Sequence, residues 1–186
     1  MTREALWKML LIVPSSLFFF LLVPLASWVV GRRLDALLGL PTLELGEGGT
    51  VVAASLFLFG AYYVLGSIRV LFVEGGGIPL GDVLPANQST ELVTGGVYGS
   101  TRNPMLFGYL LCLAAQGVAF NSVTMAFMIP TIFIGLWSLW LRNSEEPRLE
   151  ARFGEPYIEY RRMTPFLIPR PLRNTKSREH IDSPNP

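Results

Sequence analysis

The chain has 186 residues, of which 51% are hydrophobic and only 16% are charged. Soluble domains carry about 25% charged residues, so an ordinary soluble globule is excluded, and the apolar excess also excludes a disordered chain. The net charge of +1 offers no general attraction to nucleic acid. One cysteine and one histidine supply neither a disulfide framework nor the material for a Cys/His metal site or a histidine-based triad. The composition indicates a small polytopic membrane protein.

Two apolar segments in the first 73 residues have spanning length. Met9–Val30 and Val51–Val73 each exceed the roughly 20 apolar residues that a crossing helix needs. The next 30 residues form a long loop, which begins with the glycine-rich run Gly75–Pro79. Loops of this length are either functional or disordered, and both interpretations stay open at this point.

The third apolar segment is a run of 38 residues, Pro104–Leu141, without Asp, Glu, Lys or Arg. It is too long for one helix, and Asn121 followed by Ser122 is its strong turn signal. We therefore expect a helical hairpin with arms at Met105–Phe120 and Val123–Leu141, which brings the total to about four transmembrane helices. Gln116 is expected to form a hydrogen bond between helices.

The segment after the hairpin is predicted to be amphipathic and to lie on the membrane surface. Leu149, Phe153, Tyr157 and Tyr160 fall at helical spacing, and Gly154 should divide the segment into two short helices. Nine of the fifteen Lys and Arg residues follow Leu141, so the positive-inside rule places the C-terminus in the cytoplasm. With four crossings, the N-terminus and the long loop are cytoplasmic as well.

Two polar clusters bracket the hairpin, one at 98–103 and one at 142–146. Because the two ends of a hairpin lie near each other, we expect both clusters to meet at one membrane interface. A competing interpretation is a water-facing helix end in which Glu145 pairs with Arg142 or Arg148.

The residues around the hairpin also carry a family resemblance. Residues 92–108 read LVTGGVYGSTRNPMLFG. The second block is a Glu-Glu pair followed by spaced aromatic residues and prolines: Glu145, Glu146, Leu149, Phe153, Gly154, Tyr157, Tyr160, Pro165 and Pro169. The two blocks, in this order, resemble the isoprenylcysteine carboxyl methyltransferase family of membrane enzymes, which is related to the phospholipid N-methyltransferases. The resemblance covers roughly residues 75–169.

The resemblance implies an all-α membrane enzyme that uses S-adenosylmethionine and has no Rossmann domain. It divides the chain into N-terminal transmembrane helices (1–73), a methyltransferase core (74–169) and a disordered polar tail (170–186). The sulfonium of the cofactor already activates its methyl group, so no metal is needed, and catalysis can rest on alignment of the acceptor.

The resemblance also implies roles for individual residues. The nucleoside would lie against Leu92, Val93 and Tyr98. The methionine part would be wrapped by Asn103, Pro104, Met105 and Leu106. Glu145 or Glu146 would hold ribose hydroxyls or the amino group. Arg102 and Arg142 would orient an anionic group, and these two arginines together with Asn103 are the candidate catalytic residues.

Two positions depart from the family pattern. The family often has His where this chain has Asn103, which argues against a titratable acid or base there. It usually has Tyr where this chain has Leu106, and the loss of the ring and hydroxyl is expected to alter the cofactor pocket or the choice of substrate. Helical geometry points the neighbouring Phe107 elsewhere.

The main hypothesis is methyl transfer to a lipophilic acceptor that arrives through the bilayer. The acceptor would be an isoprenylcysteine-like carboxylate, a phospholipid amine or a thiol. One alternative is an NADPH-dependent membrane reductase, because sterol reductases have a C-terminal region similar to these blocks. Another is a non-catalytic, lipid-binding membrane scaffold. We expect a prokaryotic inner membrane as the location, with the active site and both termini cytoplasmic, and the sequence leaves the oligomeric state open.

Overall fold

The computed structural model describes residues 17–75 and 91–171. The start of the predicted first span, nearly all of the glycine run at 75–79, and the predicted polar tail from residue 172 onward lie outside the described residues. The residues that are described form helices, turns and irregular segments but no strand. The all-helical class, without a Rossmann sheet, is therefore confirmed.

The described helices follow one another as α1 Val23–Leu38, α2 Gly46–Val73, α3 Pro104–Ala119, α4 Ile129–Trp140, α5 Glu146–Phe153 and α6 Glu155–Met163. Three five-residue π-helical turns lead into α1, α4 and α5, at Phe18–Leu22, Thr124–Met128 and Leu141–Glu145. A 3-10 turn at Gly96–Gly99 precedes α3.

Each π-helical turn is followed, two positions on, by a proline: Pro24, Pro130 and Pro147. Inside an α-helix, a proline ring clashes with the carbonyl four residues earlier and leaves it without a donor. A π-helical turn widens the helix at that point, which gives the ring room. The helices therefore pass through these prolines without ending.

The predicted hairpin is confirmed, although one of its boundaries is wrong. Asn121 adopts a left-handed conformation with φ 53° and reverses the chain between α3 and the turn at Thr124–Met128. The second arm was expected to end at Leu141, but the chain stays helical from Thr124 to Phe153. The π-helical turn at 141–145 accommodates Pro147, so the polar cluster at 142–146 lies inside a continuous helix.

Two of the described helices are long and apolar enough to cross a membrane, Gly46–Val73 and Thr124–Phe153. The apolar helix α3 is shorter, at 16 residues. Large apolar side chains such as Leu58 and Leu65 are exposed on α2, as expected of a helix surrounded by lipid. The count of about four crossings stays a prediction.

Helices α2 and α3 approach so closely that their backbones touch. A Cβ atom on Gly108 would lie 2.4 Å from the carbonyl oxygen of Gly60, and one on Gly60 would lie 2.6 Å from the carbonyl oxygen of Gly108. Small residues allow this approach in membranes, where van der Waals packing replaces the hydrophobic effect between helices. Gln116 donates a 2.9 Å hydrogen bond to the Pro24 carbonyl of α1, as predicted.

At the end of the bundle opposite the two polar clusters, Asp35 of α1 caps the start of the last long helix. Its carboxylate accepts hydrogen bonds from the Ser122 hydroxyl and, at 2.9 Å, from the Thr124 amide. Ser122 in turn accepts the Met125 amide at 3.2 Å. The open N–H groups of a helix start are thus satisfied by a side chain from a helix that lies almost 90 residues earlier in the chain.

We expect Gly108→Ala to lower the thermal unfolding midpoint of the protein in detergent. The new methyl group would collide with the Gly60 carbonyl, and overpacking of this kind destabilises by about 1–3 kcal/mol. The matched control is Gly135→Ala in α4, where nothing lies within 4 Å of a Cβ atom and the better helix propensity of alanine favours folding. Equal midpoints for the two variants would contradict the close crossing.

Asp35→Asn tests the helix cap through its pH dependence. Burial acts to raise the pKa of the Asp35 carboxyl, but the hydrogen bonds from Ser122 and Thr124 outweigh it, with help from the Arg32 charge, and hold the pKa below 3.8. A carboxyl with a depressed pKa stabilises the fold above its unfolded pKa and loses that contribution as the pH falls through its folded pKa. The difference in free energy of unfolding between wild type and Asp35→Asn, measured in detergent, should be largest at neutral pH. It should disappear as the pH falls below 3.8. A difference that does not change with pH would contradict the cap.

Candidate active site

The loop at 91–103 is held against α2. Val97, in the 3-10 turn, is buried. Its side chain packs so closely on Gly66 of α2 that a Cβ atom on that glycine would lie 2.9 Å from it. Gly96 has φ 55°, a left-handed conformation that favours glycine. The loop is therefore seated on the helix before it turns into α3.

A C-terminal strap, defined as residues 164–171, closes over this loop. Thr101 is fully buried, and its hydroxyl lies 3.5, 3.3 and 2.9 Å from the carbonyl oxygens of Pro165, Phe166 and Leu167. An unpaired carbonyl away from water is costly. The hydroxyl has one proton, and its shortest contact is with the Leu167 carbonyl, so Thr101 satisfies that carbonyl and lies within reach of the two before it.

Three further hydrogen bonds join the strap to the loop. The Arg102 amide donates to the Pro165 carbonyl at 2.9 Å, and the side-chain nitrogen of Asn103 donates to the Phe166 carbonyl at 2.8 Å. In the other direction, the Arg170 amide donates to the Ser100 carbonyl at 2.9 Å. The strap is therefore bonded to four consecutive residues of the loop, and Asn103 has a structural role in addition to the one that the resemblance implies.

The two polar clusters meet in an ion pair. Arg102, from the first cluster, donates through Nη1 to Oε1 of Glu146, from the second. Their side chains are only 12% and 15% exposed, so the pair is shielded from water and its separation would leave a buried charge without a partner. The prediction that the clusters lie together at one end of the hairpin is confirmed.

Phe166 of the strap lies between two arginines. The guanidinium carbon of Arg142 is 4.6 Å from the ring centroid and that of Arg102 is 5.6 Å from it. Both distances fall within the range of cation–π contacts. The strap thus positions both of the arginines that the sequence proposes for an anionic group, although Arg142 itself is exposed.

Two tyrosines of α6 complete the polar region. Burial raises the pKa of Tyr157 to about 12, the Glu146 carboxylate adds to this rise, and Arg102 opposes it. Burial also raises the pKa of Tyr160, whose hydroxyl donates a 2.8 Å hydrogen bond to the Tyr98 carbonyl. Both phenols therefore stay protonated at neutral pH, and both can act as donors.

The remaining proposed residues differ in burial. Val93, Pro104 and Leu106 are buried, while Leu92, Tyr98, Met105 and Glu145 are half-buried. Phe107 packs against Tyr63 and Phe59 of α2, with ring centroids 5.0 and 6.2 Å away. It therefore points away from the Leu106 position, as predicted, and does not replace the missing tyrosine ring.

Sequence reasoning missed Thr101 and Phe166. Thr101 is a small polar residue inside the first motif, with no chemistry of its own to draw attention. Phe166 lies between Pro165 and Pro169 in a segment without regular secondary structure, where no pattern marks it. Their partners are about 65 positions away in the chain, so no local pattern could reveal them.

The fold and this region together define an all-helical membrane protein with a buried polar site at one end of its helices. A family model described as phospholipid methyltransferase matches residues 49–156, which is more than half of the chain. The protein belongs to this family of membrane methyltransferases.

One curated relative is a nickel-cobalt-cadmium resistance protein of Alcaligenes xylosoxydans xylosoxydans, 27% identical over 114 residues. The match covers 61% of this chain and 53% of that relative, so the chain spans about half the length of the relative. Within residues 17–75 and 91–171, no group of three or more His, Cys, Asp or Glu residues is placed to hold a metal ion.

Thr101→Val should loosen the strap, because it removes the hydroxyl that satisfies the Leu167 carbonyl while keeping a similar shape. An unsatisfied buried polar group costs about 1–3 kcal/mol, so the Arg170 and Arg102 amides should exchange hydrogen about tenfold faster or more, as measured by mass spectrometry. Thr101→Ser keeps the hydroxyl and should largely restore protection. Thr42→Val, at an exposed threonine, should leave both amides protected, and unchanged exchange in Thr101→Val would contradict the clamp.

Proposed function

We propose that this protein transfers the methyl group of S-adenosylmethionine to a lipophilic acceptor delivered by the membrane. The observation that carries the proposal is the Arg102–Glu146 ion pair, which joins the two motif blocks of a chain that belongs to the phospholipid methyltransferase family. The polar residues gathered there suit a ligand that is at once cationic, anionic and aromatic.

The donors and acceptors at this position fit the cofactor. The Nε atom of Arg102 is buried and has no hydrogen-bond partner among the described residues. A buried guanidinium N–H of this kind calls for an acceptor, and the carboxylate of the cofactor's methionine part is one. Glu145 and Glu146 offer carboxylates for its ammonium group or its ribose hydroxyls, so the residue set matches the charges of the molecule.

Each part of the chain would then have a separate role. Leu92, Val93 and Tyr98 supply an apolar and aromatic surface for the adenine. Residues 103–106 surround the methionine part, with Asn103 also holding the strap through its amide nitrogen. Arg142, fixed against Phe166, remains the candidate to orient an anionic group on the acceptor.

Such a site needs little chemistry from the protein itself. When bound, S-adenosylmethionine supplies a methyl group that its sulfonium has already activated. The chain contributes orientation, which can account for much of a rate enhancement when the reacting atoms are held in line. The clamped strap and the buried ion pair also keep water away from this end of the helices. Tyr157, protonated at neutral pH, can donate a hydrogen bond there.

The acceptor is proposed to be lipophilic because the described helices expose apolar surfaces to the bilayer. The three candidates are an isoprenylcysteine-like carboxylate, a phospholipid amine and a thiol. The excess of Lys and Arg after Leu141 supports a cytoplasmic site, and a prokaryotic inner membrane is the proposed location.

The proposal predicts saturable binding of S-adenosylmethionine to the purified protein in detergent, measured by isothermal titration. Glu145→Gln is expected to weaken binding about tenfold to a hundredfold, since one charge-assisted contact contributes about 1.5–3 kcal/mol. The matched control is Glu150→Gln, because Glu150 forms a 2.7 Å ion pair with Arg161 that is more than a third exposed on both sides. A control that loses as much affinity as Glu145→Gln would contradict the proposed site.

The same titration separates the alternatives. Saturable binding of NADPH without binding of S-adenosylmethionine would favour the reductase. Binding of neither would favour the lipid-binding scaffold and overturn the proposed function. If the cofactor binds, transfer of a labelled methyl group to an isoprenylcysteine analogue, a phospholipid amine or a thiol identifies the acceptor.

A further inference from the structure

A second feature of the fold is a groove between α2, the start of α3 and the strap. It has a volume of about 450 Å³, within the range of ligand pockets. One wall is formed by Phe59, Tyr62 and Tyr63 of α2 with Phe107 of α3, and the other by strap residues around Ile168 and Arg170.

The rings of the aromatic wall pack against one another. Tyr63 packs edge-on against Phe59 at 5.3 Å and against Phe107 at 5.0 Å between ring centroids. The close approach of the helices at Gly60 and Gly108 holds the two sides of this wall together. An apolar chain in the groove therefore meets rings that already pack against one another.

The groove opens toward the lipid rather than toward the interior of the bundle. Tyr62 is 61% exposed and Phe59 is 51% exposed, on a helix that also exposes large apolar side chains such as Leu58 and Leu65. Ile168, on the strap side, is 76% exposed. Phe107 lies at the start of α3, and the strap that forms the other wall is bonded to the loop just before that helix. The groove therefore joins the apolar helices to the polar end of the protein.

The polar end of the groove is positive. Arg170 is the one charged residue among the described residues that line the groove, and no carboxylate lines it. Its backbone is fixed by the 2.9 Å bond to Ser100, so the guanidinium extends from an anchored point at the edge of an apolar groove. Arginine binds phosphate through paired N–H donors.

The groove is separate from the candidate active site. None of the proposed cofactor and catalytic residues lines it, although Val97 and Ser100 of the same loop do. The inference therefore goes beyond the proposed function, and binding at the groove can be measured without any cofactor.

We infer that this groove binds one membrane phospholipid with an anionic headgroup. An acyl chain lies along the aromatic wall of Phe59, Tyr62 and Phe107, and the headgroup phosphate contacts Arg170. The occupant must combine an apolar chain with a negative charge, because the groove joins an apolar surface to one cation among the described residues.

The test uses the full-length protein in bilayer discs of phosphatidylcholine, with a trace of phosphatidylglycerol that carries a photoactivatable diazirine in its acyl chain. Labelling should saturate and should map by mass spectrometry to the peptides that contain residues 59–63 and Ile168. Unlabelled phosphatidylglycerol should compete, whereas added phosphatidylcholine and free glycerol phosphate should not. Arg170→Gln should weaken the apparent affinity about tenfold, the contribution of a charge-assisted contact.

Two variants keep the test specific. Arg170→Lys retains the charge and should keep most of the affinity. Arg69→Gln removes an exposed arginine of α2 that does not line the groove, and it should behave like wild type. Equal labelling by a phosphatidylcholine analogue, an equal loss in Arg69→Gln, competition by free glycerol phosphate, or no label at residues 59–63 and Ile168 would each overturn the inference.

Discussion

The Thr101 hydroxyl and the three strap carbonyls that surround it form the contact on which the polar end of this protein depends. Backbone groups at a membrane boundary must find partners inside the protein wherever water and lipid headgroups do not reach them. Thr101 meets this need at Leu167, while Arg102 and Asn103 meet it at Pro165 and Phe166. The same backbone positions the Phe166 ring, which in turn contacts the guanidinium groups of Arg102 and Arg142.

The sequence predicted much of the fold, because the relevant signals are local. The apolar runs, the turn at Asn121 and the break at Gly154 are each readable from a few neighbouring residues, and all three are present. The continuation of the last helix beyond Leu141 was not predicted. The reason is that Pro147 by itself indicates a kink or a new helix, whereas the π-helical turn before it removes the steric conflict.

The sequence predicted which residues belong to the candidate site but not all of the contacts that they form. The family resemblance named Arg102, Asn103 and Glu146, and the fold brings Arg102 and Glu146 into contact. It could not reveal that the Asn103 amide is engaged with the strap, since the partner lies 63 positions later. Asp35 was overlooked for a similar reason. A single carboxylate near a helix end is ordinary in sequence, and its role becomes visible only when the start of another helix lies beside it.

The strap has a consequence for the order in which the molecule is made. Its residues emerge from the ribosome roughly 65 residues after the loop that they seal, when the helices between them have already been synthesised. During that interval, Thr101 and Arg102 of the loop lack the strap carbonyls to which they donate in the folded protein. The apolar helices can therefore be inserted before the polar end is sealed, and closure of the strap becomes a separate, late step of folding.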